Sequence, residues 1–196
     1  NMVNIKRKSS DSYLCLDHLV IAAESLQAGI DHIQDLLQVP LEKGGQHQKM
    51  GTHNALLSLG NSSYLEVIAI DPSLPAPQRN RWFGLDQSEI RKQITRRPRL
   101  LHWVARTEDF TSVSFKLPAS LGRIINMSRA ELQWKITVPD DGSLPANGIL
   151  PSLIEWSSQY HPASVLPERG CRLDSLEATL PNADSVSSQI ATMGLQ

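Results

Sequence analysis

Short apolar runs alternate with stretches of helical spacing along this chain, and the alternation repeats. Residues 14–22, LCLDHLVIA, are rich in branched apolar residues and predict a strand. Period-two alternation puts His18 on the face shared by Leu16, Val20 and Ala22. Over 24–39 the residues Leu26, Ile30, Ile33, Leu36 and Leu37 recur at helical spacing, with Ser25 as a natural N-cap and Pro40 as a stop. LEKGGQHQKMG (41–51) predicts a loop or weak edge strand, THNALLSLG (52–60) a strand, Asn61–Ser63 a turn and 63–71 another strand. The order over 13–71 is therefore β-α-β-β-β, after a polar tail at 1–12 that is expected to be disordered.

A proline-rich connector occupies 72–99. It carries an aromatic tip at Trp82 and Phe83 and a short basic helix over 88–97 that ends before Pro98. The pattern then restarts at Leu100. LLHWVART (100–107) echoes LCLDHLVIAA (14–23), and SLIEW (152–156) sits where YLEVIAID (64–71) sits in the first unit. Between them only a degenerate helix over 110–121 and a strand over 130–142 are legible, so the second unit, 100–160, is less regular. Residues 161–196 form a C-terminal extension in which 171–195 again read strand then helix. Leu173-Asp174-Ser175-Leu176 lines up with Leu16-Asp17-His18-Leu19, with serine in place of histidine. This is the opening half of a third unit, expected either to cap a sheet edge or to be the start of a unit cut short.

Each full unit carries a histidine near its start and a glutamate near its end: His18 with Glu66, and His102 with Glu155, about fifty residues apart in both cases. Burying such groups on apolar strands is costly unless they are paired or bound to metal. Two imidazoles and two carboxylates suit zinc, nickel, iron(II) or manganese, and the loss of one glutamate would leave the two-His, one-carboxylate face of iron(II) oxygenases. The competing reading is that the strand glutamates face solvent, for which a one-residue slip suffices. Candidate substrate contacts are His53 (with Asn54 on the opposite strand face), Arg106 and Trp82. Arg106 shares the face of His102 and suits an anionic substrate or a rim salt bridge; Trp82 and Phe83 suit a lid. Trp103 and Trp156 each adjoin a candidate ligand, so alternation assigns them to packing on the other face.

Composition narrows the partners. Lys plus Arg number 19 and Asp plus Glu 20, a net charge of −1, so no bulk attraction to nucleic acid or membrane is implied. The basic cluster at 91–99 lacks interleaved aromatics and reads as a solvated helix face. No run approaches the roughly 18 apolar residues of a membrane span, and NMVNIKRKSSDS lacks the apolar centre of a signal peptide. Cys15 and Cys171 lie in apolar runs and are expected to be buried free thiols in a reducing cytoplasm. Dinucleotide, P-loop, nucleophile-elbow and paired-cysteine motifs are absent from the sequence.

LDHLVIAA, the helix after it, GTHNALLSLG with YLEVIAID, and the recurrence LLHWVA…LIEW resemble the glyoxalase-like domains of the vicinal oxygen chelate superfamily over about residues 14–158. The resemblance implies an α+β fold in which two βαβββ modules pair into a cupped mixed sheet, within one chain or across a homodimer. It implies metal ligands in the order His, Glu, His, Glu, matching His18, Glu66, His102 and Glu155. It also implies a divalent-metal-dependent isomerase or lyase acting on a small substrate with vicinal oxygens, with Glu66 or Glu155 leaving the metal to act as base. Two other activities occur on the same cup: extradiol-type cleavage with iron(II), and metal-free sequestration of small molecules as in bleomycin resistance.

Overall fold

A computed structural model describes residues 2–5, 14–157, 160–181 and 183–195. The first unit comprises strand β2 (Leu14–Ala22), helix α1 (Leu26–Leu37) and strands β3 (Glu42–His47), β4 (Thr52–Ser58) and β5 (Tyr64–Ile70). A short strand β1 (Met2–Ile5) precedes it, inside the segment expected to be disordered. Ser25 caps α1 by accepting from Ala28 N at 3.2 Å, and Gln38 closes the helix in a left-handed conformation two residues before Pro40. After α2 (Ser88–Arg96), the second unit comprises β6 (Arg99–Thr107), the single turn α3 (Phe110–Val113), β7 (Arg123–Arg129), β8 (Leu132–Val138) and β9 (Ser152–Trp156). The pattern over 123–129, RIINMSR, had announced no strand; β7 is mostly exposed and so carries little apolar alternation. The turn α4 (Pro162–Val165), strand β10 (Leu176–Thr179) and helix α5 (Ala183–Thr192) complete the chain.

Eight strands form one mixed sheet in the order β3-β4-β5-β2-β6-β9-β8-β7. Within each unit the first strand pairs parallel with the last, β2 with β5 and β6 with β9, and β2 and β6 join the units antiparallel. The sheet curls so far that its edges meet: Lys49 Nζ donates to Asn126 O at 2.8 Å, and a Cβ on Gly45 would lie 2.8 Å from Arg129 Cδ. One chain thus supplies both halves of the cup.

Val20, Ala22, Ile68, Val104, Ile136 and Ile154 face into the cup. There they pack on Trp82, Phe83 and Leu85, so the aromatic tip of the connector is buried in the concave face. Gly142 makes this docking possible. At φ +70° it receives Gly84 N at 2.8 Å, and a Cβ there would strike Arg81 O. On the outer face α1 covers Leu57, Leu65 and Val67 through Ile33, and Gly29 lets it approach, since a Cβ would meet Val67 Cγ1 at 2.4 Å. The corresponding outer face of the second unit, with Trp103, Ala105 and Leu153, is covered by Ile190, Met193 and Leu195. The C-terminal extension therefore supplies the covering helix that the second unit has lost. Its strand β10 pairs with β1 in a separate two-stranded sheet instead of capping the large one. Cys15 is exposed and Cys171 half-buried, so neither is the buried thiol expected from its neighbours. No helix among the described residues is long and apolar enough to cross a membrane.

Candidate functional site

Strand β2 brings two consecutive polar residues to the same face. Leu16 pairs with Ala105 and His18 with Val104, so Asp17 is an extra residue on β2, a bulge that turns both Asp17 and His18 inward. Asp17 Oδ1 accepts from His18 Nδ1 at 2.6 Å, while Oδ2 accepts from His161 Nε2 at 2.8 Å and Trp156 Nε1 at 3.0 Å and lies 3.5 Å from Arg106 Nη1. On the other side, His18 Nε2 stands 3.5 Å from Glu66 Oε2. Glu66 Oε1 accepts from Asn54 Nδ2 at 2.6 Å, and Asn54 Oδ1 accepts from Gly45 N at 3.0 Å and Arg129 Nη1 at 2.6 Å. His18 also stacks on its sheet neighbour Tyr64, ring centroids 4.6 Å apart.

This buried row is charged. Burial pushes the His18 imidazole down, but hydrogen bonds to Asp17 and Glu66 outweigh it and raise its pKa to about 9. Burial pushes both carboxylates up, but hydrogen bonds from His161 and His18 hold Asp17 far below the carboxylate range, and His18 holds Glu66 at about 2. His47 is different. Burial lowers it to about 4, and its hydrogen bonds agree with a neutral ring: Nδ1 donates to Thr52 Oγ1 at 3.0 Å and Nε2 accepts from Asn54 Nδ2 at 3.4 Å. Burial, then the charges of Asp17 and Glu66, keep Tyr64 a neutral phenol.

His18, His47, Asn54, Tyr64 and Glu66 line a cleft with Trp82, Phe83, Arg129, Trp134 and Trp156 that narrows to about 20 Å³. That is room for roughly one water molecule. A wider open depression of about 580 Å³ lies elsewhere, along the outside of the connector. There Arg81 is bound to Asp86, Arg123 to Asp140, and Arg79 to Pro139 O, so its arginines are already engaged. The narrow cleft, with its buried charges, is the better candidate for chemistry.

His18 and Glu66 come together; His102 and Glu155 do not join them. His102 is buried, and both its nitrogens are taken by neighbouring groups. Nδ1 donates to Gly148 O at 3.2 Å, and Nε2 accepts from Ser152 N at 3.0 Å and faces Ser152 Oγ at 3.0 Å. Burial lowers its pKa to about 3. Glu155 points away from the cup, accepting from Lys135 Nζ at 2.8 Å and Phe110 N at 2.7 Å, while its neighbours Ile154 and Trp156 line the cleft. Trp156, assigned by alternation to the outer face, is thus an inner residue. The register explains both placements. Val20, two residues after His18, pairs with Glu66; Val104, two residues after His102, pairs with Ser152. The counterpart of Glu66 is Ser152, and that of Glu155 is Ala69. Among the described residues no group of three or more His, Cys, Asp or Glu side chains could hold a metal ion. The donors present therefore do not fit the four-ligand set that the resemblance implies.

His53 faces away from the cleft, 3.3 Å from Asp71 Oδ2, and its neighbour Asn54 takes the inner place. Arg106 sits at the rim against Asp17 and Ser62 O. Trp82 lines the cleft. Asp17, His47, Tyr64, Arg129 and His161 were not singled out as site residues from the sequence, and Asn54 only as the neighbour of His53 on the other strand face. Strand alternation hid Asp17, since it cannot reveal a bulge, and His47 read as part of a loop.

A profile of the glyoxalase-like domain matches residues 16–194. No curated protein matches the chain in sequence. Among solved structures, a hypothetical protein from Staphylococcus aureus is 19% identical at a TM-score of 0.48, with 74% of this chain and 59% of that chain covered. Methylmalonyl-CoA epimerase from Mycobacterium tuberculosis is 19% identical at a TM-score of 0.49, covering 81% of this chain and 97% of its own. Streptomyces coelicolor methylmalonyl-CoA epimerase in complex with 2-nitronate-propionyl-CoA is 16% identical at 0.47, covering 73% and 97%. The chain spans 59% of the Staphylococcus aureus protein's length, and these likenesses concern the fold alone. With its paired modules, curled mixed sheet and a profile match over nearly its whole length, the chain belongs to the glyoxalase-like domain family.

Proposed function

We propose that this protein is an isomerase-type enzyme that moves a proton on a small substrate with neighbouring oxygens, with Glu66 as the base. The observation that carries this reading is the ionised Glu66 carboxylate, 5% exposed, at the wall of the cleft and opposite the charged ring of His18. A buried carboxylate already ionised at neutral pH has its proton-accepting site vacant at the cleft, although its pairing with His18 lowers its basicity.

In the proposed step, Glu66 takes the proton from a carbon next to a carbonyl. The C–H electron pair forms the carbon–carbon double bond of an enolate, and the carbonyl π electrons move to oxygen. The proton then returns from Glu66 to the same carbon or, where that carbon bears a hydroxyl, to the former carbonyl carbon as the hydroxyl proton passes to the oxyanion and the hydroxyl-bearing carbon becomes the new carbonyl. While it is paired with His18, Glu66 is a weak base, so the step depends on donors that hold the developing oxyanion. His18 Nε2–H is one such donor. Asp17 keeps His18 protonated and oriented, and is itself held by His161 and Trp156. The family resemblance implies a divalent metal among zinc, nickel, iron and manganese. His102 and Glu155 stand elsewhere, so of the four side chains that would hold it only His18 and Glu66 come together.

Deuterium entry tests the reading. Hydroxyacetone and methylmalonate semialdehyde, incubated with the protein in D2O, are expected to exchange their acidic carbon-bound hydrogens faster than in buffer, and Glu66→Gln is expected to remove the excess. Binding without any exchange would sink the enzyme reading and favour the sequestering one.

A further inference from the structure

Trp82 is 3% exposed, lines the cleft beside His18 and Glu66, and has an indole nitrogen that is buried without a hydrogen-bond partner. Buried N–H groups are almost always paired, and one left unpaired in a native protein calls for an explanation. The polar groups around it are already committed. Asn54 serves Glu66, Gly45 and Arg129; His47 serves Thr52 and Asn54; Trp156 donates to Asp17. The ring itself is fixed, edge to face with His47 at 5.0 Å and stacked on Phe83 at 5.2 Å. Its chain neighbours bear signs of the same tension. Phe83 is held at φ +58°, in the left-handed region that aromatic residues rarely occupy, and Arg81 Nε is also buried without a partner. The connector thus brings a residue with a buried, unused donor to the wall of the cleft that Glu66 also lines.

We propose that the Trp82 indole N–H receives the carbonyl oxygen of the substrate and holds its negative charge as Glu66 takes the neighbouring proton. This rests on the reading of Glu66 as a base, and it names the ligand class as compounds with a carbonyl next to a carbon-bound acidic proton. A carbonyl oxygen has lone pairs and no hydrogen, so it satisfies Trp82 without competing for the donors of Glu66. Trp82 and Glu66 line one cleft, so widening it to admit a small molecule would bring a donor to its carbonyl oxygen and an acceptor to the adjacent carbon.

The test uses 15N-labelled full-length protein and hydroxyacetone as the probe. Loss of one indole resonance in Trp82→Phe, which keeps the ring stack and removes the N–H, assigns the signal. In wild type that resonance is expected to move downfield and saturate with hydroxyacetone. Binding by Trp82→Phe is expected to weaken about tenfold, the scale of one lost hydrogen bond. A Trp82 indole that stays unmoved overturns the proposal, and if Trp82→Phe fails to fold and leaves the signal unassigned, four indole resonances that all stay unmoved overturn it equally. Equal affinity in a folded Trp82→Phe protein also overturns it. A saturable indole shift without deuterium entry would instead overturn the role of Glu66 and leave the donor assignment standing.

Discussion

Arg129 and Asn54 lie on strands near opposite ends of the eight-strand order, yet Arg129 Nη1 donates to Asn54 Oδ1 at 2.6 Å. The bond crosses the seam between β3 and β7 and ends on the residue that holds Glu66. The closure of the cup and the orientation of the candidate base therefore share one side chain.

Arg129→Ala is expected to loosen the seam. A hydrogen bond from a charged donor at a half-buried site contributes about 1.5–3 kcal/mol. Urea unfolding should show a loss near the lower end of that range. Amide hydrogen exchange should rise selectively in β3 and β7, and unchanged protection there would contradict the seam.

The two glutamates should separate cleanly. Glu155→Gln removes an ion pair with a half-exposed lysine and weakens a bond to Phe110 N, which costs about 1 kcal/mol. It is expected to leave ligand binding and proton exchange intact. Glu66→Gln leaves His18 charged and buried beside a neutral amide, so it should lose exchange and be the less stable of the two variants in thermal melts.

Stability should peak near pH 6.5 and fall on both sides. The pKa of His18 is raised when folded, to about 9, so its contribution is full below its unfolded value of 6.5 and is lost as pH rises through 9. The pKa values of His47 and His102 are lowered when folded, to about 4 and 3, so their contributions are present above 6.5 and lost as pH falls toward those values. Glu66 adds to the acid loss between its unfolded value of 4.5 and about 2. Chemical denaturation across pH 3–10 checks the shape. A His102→Gln variant should show a shallower acid limb, and an unchanged limb would count against the assignment.

Gly29→Ala is expected to destabilise although alanine is the better helix former. The added Cβ would stand 2.4 Å from Val67 Cγ1 and 2.9 Å from Ala23 Cβ, so α1 must lift from the sheet. Overpacking of this kind costs about 1–3 kcal/mol, more than the roughly 1 kcal/mol of propensity gained. A melting temperature at or above wild type would contradict the close approach.

The repeat was legible because both units begin and end with apolar strands, and the strand and helix limits of the first unit follow from Ser25, Pro40 and the turn at Asn61–Ser63. The pairing of His18 with Glu66 was legible for the same reason. The second unit misled because SLIEW offers only one carboxylate, and matching like to like put Glu155 opposite Glu66. The sheet matches positions by hydrogen-bond register, which gives Ser152. Asp17 was hidden by a bulge, and bulges depend on how two strands meet, not on the alternation within one. His47 and Arg129 lie on edge strands whose inner neighbours appear only once the sheet curls. Burial of the aromatic tip depends likewise on Gly142, sixty residues away in the chain, offering its carbonyl to Gly84.

The connector also works as a tether of fixed length. It joins β5 to β6 and spends part of its span dipping into the concave face to seat Trp82 and Phe83. A deletion between residues 72 and 81 would leave too little chain to make both trips, and it would draw the aromatics out of the cup before it pulled the strands apart. An insertion of similar size would have slack to spill outward. Natural length variation in this segment should therefore be lopsided, with gains tolerated and losses accompanied by a different filling for the cup.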